Sequence, residues 1–254
     1  MSANIGTPEI GTFVKTCSPQ IVEVLGTAGI GFAVVDAEHA PFGRAEIDLM
    51  VMAGRAAGLP VFVRVPDHRP ATILSSLDIG AAGLLVPHVD TRAEAEAIVE
   101  AARFTVGARG YSGSPRFAGY GSMGRAAALA RGDEALLLCQ IESARGVEEA
   151  AGIAGLEGVD GLFIGRADLS LSLGETAIDA PRVAAATARI VAAGRAAGKR
   201  VGMFVGSADE VGPFAAAGVD WFVVGSDQAM LRQGAVRLAA LAGGFSDIRK
   251  AANR

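Results

Sequence analysis

Residues 56–65, Ala-Ala-Gly-Leu-Pro-Val-Phe-Val-Arg-Val, contain the unit that decides the fold: an Ala-rich segment stops at glycine and an apolar, β-branched run follows. Glycine commonly ends a helix because it adopts the left-handed backbone conformation without strain. The apolar run is typical of a strand that is buried on both faces of a parallel sheet. The stretch therefore predicts the end of a helix followed by a buried strand.

The same unit of helix, glycine and strand recurs along the whole chain. Strands are predicted at residues 12–15, 32–36, 61–65, 84–86, 136–141, 159–164, 201–205 and 219–225. Eight strands that alternate with helices predict an α/β fold, a parallel (β/α)8 TIM barrel, in a single domain over residues 1–254. A doubly wound open sheet is the alternative, which the missing Gly-x-Gly-x-x-Gly motif after the first strand disfavours.

Composition excludes several classes of function. The formal net charge is only −4 and there is no basic stripe, which disfavours nucleic acid as a partner. The sequence has no long uncharged apolar run and no basic leader, so we predict no membrane span, no signal peptide and a cytoplasmic location. Cys17 and Cys139 form no Cys-x-x-Cys motif and are interpreted as small core residues, which fits a reducing compartment.

Two predicted strands run directly into carboxylates, at Glu142 and at Asp168. A buried charge must be paired or bound to a metal, and the strand ends of a barrel meet at one rim. We therefore predict a divalent-cation site between the two acids. Gln140 lies on the same strand face as Glu142, and two carboxylates leave positions for water and substrate, which suits Mg²⁺ or Mn²⁺. The alternative is that both acids cap the helices that follow them.

Other polar residues follow strands at the same predicted rim. His39 follows the second strand and can transfer a proton near neutral pH. Arg64 ends the third strand and needs an anion, which is either part of the substrate or an internal aspartate. His88 ends the fourth strand and is a weaker candidate for the pocket lining. Asp78 ends a helix, the unfavourable end of the helix dipole for an acid, which suggests a specific partner such as a histidine across a subunit boundary.

Two further segments are candidates for function. Residues 165–168, Gly-Arg-Ala-Asp, open a predicted helix, so their free backbone N–H groups, including that of Ala167, favour a substrate carboxylate. Residues 107–124 form a long loop rich in Gly, Ser, Arg and Tyr. Such a loop inside a compact domain is usually functional, and a solvated crossover is the alternative.

In combination these motifs resemble the HpcH/HpaI family of class II pyruvate aldolases. The resemblance extends from about residue 10 to residue 240, and its motifs occur in the order that the family shows. The segments that carry it are residues 34–41 (Val-Val-Asp-Ala-Glu-His-Ala-Pro), 86–89 (Val-Pro-His-Val), 108–110 (Ala-Arg-Gly), 140–142 (Gln-Ile-Glu) and 161–170 (Gly-Leu-Phe-Ile-Gly-Arg-Ala-Asp-Leu-Ser).

The resemblance implies an architecture and a reaction. The family is built as (β/α)8 barrels in homo-hexamers, trimers of dimers, whose partners exchange the C-terminal helix. Its members use a divalent metal, Mg²⁺, Mn²⁺ or Co²⁺. They reversibly cleave 4-hydroxy-2-oxo acids to pyruvate, or hydroxypyruvate, and an aldehyde through a metal-stabilised enolate.

The resemblance also assigns roles by position. Glu142 and Asp168 match the metal ligands, and Gln140 matches the glutamine beside the metal. Together with the predicted start of the helix at residue 165, this makes Gln140, Arg64, Ala167 and Asp168 the predicted substrate contacts.

Three further roles complete this set. Arg64 matches the arginine that stabilises the enolate, and His39 matches the acid–base histidine. Asp78 matches the aspartate that pairs with such a histidine from a neighbouring subunit.

The chain departs from the family pattern at three places. Arg166 stands where most members have proline, and a cation so near the metal could change which acceptor or acid is preferred. Residues 117–131 lack the Trp and Asn that many members carry, and His88 replaces an apolar residue. The preferred aldehyde is therefore open.

Metal-dependent aldol cleavage has three alternatives, two of them enzymatic and one without catalysis. A Schiff-base aldolase needs a lysine at the end of the sixth strand, whereas Lys15 and Lys199 lie elsewhere in the sequence. A CoA-thioester lyase of the citrate lyase β type needs a surface for the nucleotide, and the sequence has no basic cluster to form one. A barrel that binds ligands without catalysis is the third reading.

Overall fold

The computed structural model describes residues 7–252 of the chain, with side chains described for residues 7–241. Within this range eight parallel strands close into a barrel in which each strand pairs with the next and the last pairs with the first. The strands are Glu9–Val14 (β1), Phe32–Asp36 (β2), Val61–Arg64 (β3), Gly83–Val86 (β4), Leu136–Ile141 (β5), Gly161–Ile164 (β6), Arg200–Val205 (β7) and Trp221–Ser226 (β8). The predicted fold is confirmed, and the open doubly wound sheet is wrong.

Helices alternate with these strands. Within the described range they are Pro19–Thr27 (α1), Arg44–Ala57 (α2), Pro70–Asp78 (α3), Arg92–Ala102 (α4), Arg125–Asp133 (α5), Ala144–Ala154 (α6), Arg166–Ser172 (α7), Pro181–Ala196 (α8), Val211–Ala216 (α9) and Asp227–Ala252 (α10). Short 3-10 segments occur at Arg116–Gly121 and Ala208–Glu210. The glycine signal works as predicted in α2, because Gly58 follows it with a φ of 69° and donates its N–H to Gly54.

Aromatic side chains fill the inside of the barrel. The Trp221 ring stacks on Phe32 with 4.0 Å between ring centroids, and it meets the edges of Phe62 and Phe163 at 5.1 and 6.0 Å. All four side chains are buried. The barrel is therefore a packed core, and the space for chemistry lies at its ends.

Parallel strands give the barrel two different ends. All eight carboxyl ends form one rim, and the helix after each strand starts near that rim and ends at the opposite, amino end. Branched aliphatic side chains such as Val35, Val63 and Leu84 are fully buried between the strands and the helices. This layer fixes the strand ends, and therefore the side chains of the rim, relative to one another.

Helix α10 carries apolar side chains on its surface. Leu231, Val236, Leu238 and Leu241 are each more than half exposed. Several large apolar side chains exposed on one helix commonly mark a protein interface. Among the described residues, no helix is both long enough and apolar enough to cross a bilayer.

The two cysteines occupy different environments. Cys139 lies in β5 and is buried, and burial raises the pKa of its thiol to about 12. Cys17 is exposed. The predicted core position of Cys17 is wrong because β1 ends at Val14 and the chain then turns outward to start α1.

Candidate active site

An ion pair between neighbouring strands organises one side of the carboxyl rim. Asp36 ends β2 and Arg64 ends β3, and the two residues are register partners. Arg64 donates to both oxygens of Asp36, from Nε at 2.9 Å and from Nη2 at 2.7 Å, and its Nε lies 3.3 Å from Glu38. The guanidinium also lies over the Phe13 ring, 4.4 Å from the centroid. Of the two anions considered for Arg64, the structure supplies the internal aspartate.

Asp36 is the anchor of this cluster. Its carboxylate is fully buried and also contacts the Lys15 amine at 3.0 Å and the His39 backbone N–H at 3.1 Å. Burial alone would raise the pKa of Asp36, but the hydrogen bonds and charge of Arg64, with the contacts of His39 and Lys15, lower it below its usual range. Asp36 is therefore ionised, and it holds two cations and the start of the His39 turn in place.

A second cluster surrounds Glu142, directly after β5. His88 donates its backbone N–H to Glu142 Oε1 at 2.8 Å, and its Nδ1 lies 2.9 Å from the same oxygen. Gln140 Nε2 donates to the other oxygen. Burial raises the pKa of Glu142, and these hydrogen bonds offset the effect of burial only in part. Gly165 permits this packing, since a Cβ there would lie 2.7 Å from Glu142 Oε2.

His88 joins the two clusters. Its Nε2 lies 3.1 Å from Glu38 Oε1, while its Nδ1 faces Glu142. Its backbone has a φ of 55°, a left-handed conformation that non-glycine residues rarely adopt. Such strain is found most often at functional sites. The sequence marked His88 only as a weak candidate, whereas the structure places it between two carboxylates.

A pocket of about 250 Å³ lies at this rim. Predicted site residues that line it are His39, Arg64, Gln140, Ala167 and Asp168, together with Lys15, Arg166 and Ser226. Ala167 and Asp168 are exposed in the first turn of α7. Glu142 adjoins the pocket through its hydrogen bond with Gln140. The structure therefore brings the predicted rim residues together.

The capping alternative for the two acids does not hold. The N-cap of α6 is Ser143, whose hydroxyl accepts the N–H of Gly146. The N-cap of α7 is Gly165, and Asp168 lies inside the first turn of that helix. Neither Glu142 nor Asp168 is a helix cap.

Two predicted elements lie away from this pocket. Asp78 ends α3, at the amino end of the barrel, where it accepts a hydrogen bond from Arg109 Nη2 at 2.9 Å. Within one chain it is thus separated from His39. Residues 107–124 follow α4 and so lie at the same amino end, where the buried Arg116 donates to the Ile79 carbonyl at 2.8 Å. The loop does not contribute to the rim of its own barrel.

The donor set fits a hard cation, although no preformed cage is present. Among the described residues, no group of three or more His, Cys, Asp or Glu side chains is arranged to hold a metal ion. The buried amide oxygen of Gln140, Oε1, nevertheless has no hydrogen-bond partner within the described range, whereas Glu38 Oε2 is ion-paired with Arg64. An unpartnered acceptor on the residue that binds Glu142 suits a cation that prefers oxygen ligands.

Comparison with known proteins identifies the family. The model of the HpcH/HpaI aldolase/citrate lyase family matches residues 9–234. The chain belongs to this family. A 5-keto-4-deoxy-D-glucarate aldolase of Shigella dysenteriae is 35% identical over 233 residues, 91% of each chain. The match covers the whole barrel, so the resemblance noted in the sequence is confirmed.

Solved structures of the HpcH/HpaI family share the architecture. A family member from Burkholderia cenocepacia is 34% identical with a TM-score of 0.85, over 96% of this chain and 95% of that one. An HpcH/HpaI aldolase from Desulfitobacterium hafniense is 28% identical with a TM-score of 0.87, over 93% of each chain. A citrate synthase is also 28% identical, with a TM-score of 0.86 over 96% of each chain.

The sequence missed some residues of the pocket. Lys15 enters it because β1 closes the barrel against β8, a contact between opposite ends of the chain. Glu38 contacts Arg64 and His88, whereas the sequence analysis includes it only within the segment of residues 34–41. Glu38 follows Asp36 by two residues, and residues at this spacing share one face of an extended chain. This spacing is the signal that could have revealed Glu38.

Proposed function

We propose that the protein reversibly cleaves 4-hydroxy-2-oxo acids to pyruvate, or hydroxypyruvate, and an aldehyde. It is a carbon–carbon lyase of the class II aldolase type. The observation that carries the proposal is the convergence of His39, Arg64, Gln140 and Asp168 on one pocket beside the buried Glu142. Relatives named as aldolases over the full barrel support it.

Glu142 and Asp168 are the proposed ligands of a divalent cation, Mg²⁺, Mn²⁺ or Co²⁺. When bound, such a cation would supply Lewis-acid stabilisation of the negative charge that develops on the keto oxygen of the substrate. Gln140 orients Glu142 by its hydrogen bond, and its own amide oxygen is buried without a hydrogen-bond partner among the described residues.

The remaining roles follow from the two clusters. Arg64 is 7% exposed, and Asp36 and Phe13 fix its position, so it presents a preorganised positive charge at the pocket wall. The His39 side chain is 54% exposed and has room to accept the proton of the C4 hydroxyl and to return it in the reverse direction. Ala167 is the proposed backbone contact of the substrate carboxylate.

Self-association is part of the proposal. The exposed apolar side chains of α10 support exchange of this helix between two chains. The family pattern extends this to a homo-hexamer, a trimer of dimers. The substrate partners are a small 2-oxo acid and an aldehyde, and a cytoplasmic location stays a prediction.

Release of pyruvate from a 4-hydroxy-2-oxo acid, coupled to lactate dehydrogenase and NADH, tests the function. We expect turnover with Mn²⁺, loss of turnover after dialysis against chelator, and a fall of at least about 100-fold for Asp168→Ala. Asp179→Ala, which removes an exposed carboxylate before α8, is the matched control.

Each rival predicts a different result. Full activity of chelator-treated Asp168→Ala would contradict the metal assignment. Cleavage only of a CoA thioester would favour the citrate lyase type. Binding of pyruvate and Mn²⁺ without any carbon–carbon cleavage would favour the non-catalytic barrel.

A further inference from the structure

Lys15 places a second cation beside Arg64 in the wall of the active-site pocket. It is the first residue after β1 and lines the same pocket as His39, Arg64 and Asp168. Its amine lies 3.0 Å from Asp36 Oδ2, and its side chain is 28% exposed. The charged end of Lys15 is therefore anchored to the protein and still accessible to a ligand.

The main chain of Lys15 is fixed from the other end of the sequence. Asp227, the first residue of α10, is buried, and its two carboxylate oxygens accept the N–H groups of Lys15 at 2.8 Å and of Thr16 at 3.0 Å. Gln228 Nε2 donates to the Lys15 carbonyl at 3.4 Å. A functional side chain needs such support, because its main chain must not move when a ligand binds.

The charge of Asp36 is compensated without Lys15. Arg64 already donates to both oxygens of Asp36, at 2.9 and 2.7 Å. Lys15 thus shares the carboxylate that it contacts, whereas Arg64 also lies 3.3 Å from Glu38. An ammonium has three N–H donors, and among the described residues the Lys15 amine contacts no acceptor besides Asp36. A ligand in the pocket can accept the remaining hydrogen bonds.

The contact with Asp36 favours a role of Lys15 as a charge over a role as a nucleophile. A lysine that forms a Schiff base must attack as the neutral amine. The amine of Lys15 is ion-paired with a carboxylate, and an ammonium in such a pair has no electron pair with which to attack a carbonyl. Lys15 is therefore suited to stabilise negative charge on a ligand oxygen.

We propose that Lys15 is a further catalytic residue, which contacts the oxo-acid half of the substrate beside Arg64. When the C3–C4 bond breaks, the C4 hydroxyl gives its proton to His39, and the electron pair of the bond leaves negative charge on the keto oxygen. Arg64 and Lys15 share Asp36 Oδ2, so a keto oxygen next to Arg64 also lies near Lys15, which donates a hydrogen bond to it. Asp227 is a positioning residue for Lys15. This inference rests on the proposed aldolase function and adds a residue to it.

Acetylation of the wild-type protein with acetic anhydride, with and without pyruvate in the presence of Mn²⁺, tests the contact. The sequence contains three lysines, so mass spectrometry reads the labelling of each one separately. Pyruvate at about ten times its dissociation constant, determined by calorimetry, should slow the labelling of Lys15 about 10-fold. Lys199 is the internal control, because its amine donates to the Leu156 and Val159 carbonyls at the amino end of the barrel, and its labelling should not change.

Lys15→Met measures the effect on catalysis, because it removes the charge and keeps much of the side-chain length. We expect kcat/KM for cleavage of 4-hydroxy-2-oxopentanoate to fall by about 10- to 100-fold, as for loss of a hydrogen bond to a charged group. Lys15→Arg restores a positive charge and should lose less. Lys199→Met is the matched control and should keep the wild-type kcat/KM.

Three results would overturn the role of Lys15. They are unchanged labelling of Lys15 at saturating pyruvate, full kcat/KM in Lys15→Met, and a pyruvate adduct on Lys15 after borohydride reduction, which would show covalent chemistry. The labelling also separates this inference from the proposed function. If the wild-type protein cleaves no 4-hydroxy-2-oxo acid, the aldolase function fails, whereas protection of Lys15 by pyruvate would still support its contact with the oxo acid.

Discussion

At the scale of single residues, Asp36 is expected to stabilise the folded protein through its ion pair with the buried Arg64. Asp36→Asn would leave the buried Arg64 without its main counter-charge. Breaking a buried ion pair at one partner costs about 3–5 kcal/mol, so the free energy of unfolding at neutral pH should fall by about that amount. Chemical denaturation of the metal-free protein measures the change.

The difference in free energy of unfolding between wild type and Asp36→Asn depends on pH, and the sign of this dependence follows from the pKa of Asp36. The pKa of Asp36 is lowered on folding from the ordinary value of 3.8, chiefly because the contacts of Arg64 outweigh burial. The contribution of Asp36 to the stability of the folded protein is therefore complete above its pKa in the unfolded chain. It is lost as the pH falls through its lower pKa in the folded protein. A difference between wild type and Asp36→Asn that persisted undiminished under strongly acidic conditions would contradict this account.

The location of a residue at the rim could be predicted from the sequence where one strand end was enough. Gln140, Arg64 and His39 lie at the pocket because each follows a strand whose direction the pattern fixes. The partner of Arg64 was left open, since pairing depends on the register of β2 and β3. Lys15 was missed because it depends on closure of the barrel.

At the scale of elements, the fit between strands inside the barrel is tight. A Cβ on Gly202 in β7 would lie 2.6 Å from the Phe163 ring and 3.1 Å from the Trp221 ring. We expect Gly202→Ala to lower the free energy of unfolding by about 1–3 kcal/mol through overpacking. Thermal and chemical unfolding, followed by circular dichroism, measure it.

Gly234→Ala provides the control for this prediction. Gly234 lies in α10, and nothing is within 4 Å of the position that its Cβ would take. Alanine is favoured over glycine in a helix by about 1 kcal/mol, so this variant should be neutral or slightly more stable. Equal losses of stability in both variants would show that the barrel interior does not cause the effect.

Element boundaries were predictable where glycine marked them and not where tertiary contacts form the structure. The carboxyl end of α2 and the start of β3 follow the sequence pattern. The loop at residues 107–124 contains the 3-10 segment Arg116–Gly121, whose arginine is held by Asp48 and the Ile79 carbonyl, far away in sequence. Local periodicity carries no information about such contacts.

At the scale of the whole molecule, His39 and Asp78 are the two predicted catalytic residues that one barrel cannot join. His39 lies at the carboxyl rim and Asp78 at the amino end of the same barrel. They can act together only if the amino end of one chain covers the rim of another. A closed homo-oligomer can provide this contact.

Subunit mixing tests this arrangement. We expect His39→Ala and Asp78→Asn each to lower turnover by about 100-fold or more, as for loss of an acid–base group or its orienting partner. Oligomers refolded from a mixture of the two variants should regain activity well above the sum of the separate variants, because some sites then combine an intact histidine with an intact aspartate.

Mixing His39→Ala with Asp168→Asn is the control: both residues line the pocket of one chain, so those sites should regain much less if Asp168 acts within its own barrel. Mixed oligomers, verified by mass spectrometry, that showed no recovery would exclude a site shared between subunits and would leave Asp78 as the partner of the buried Arg109.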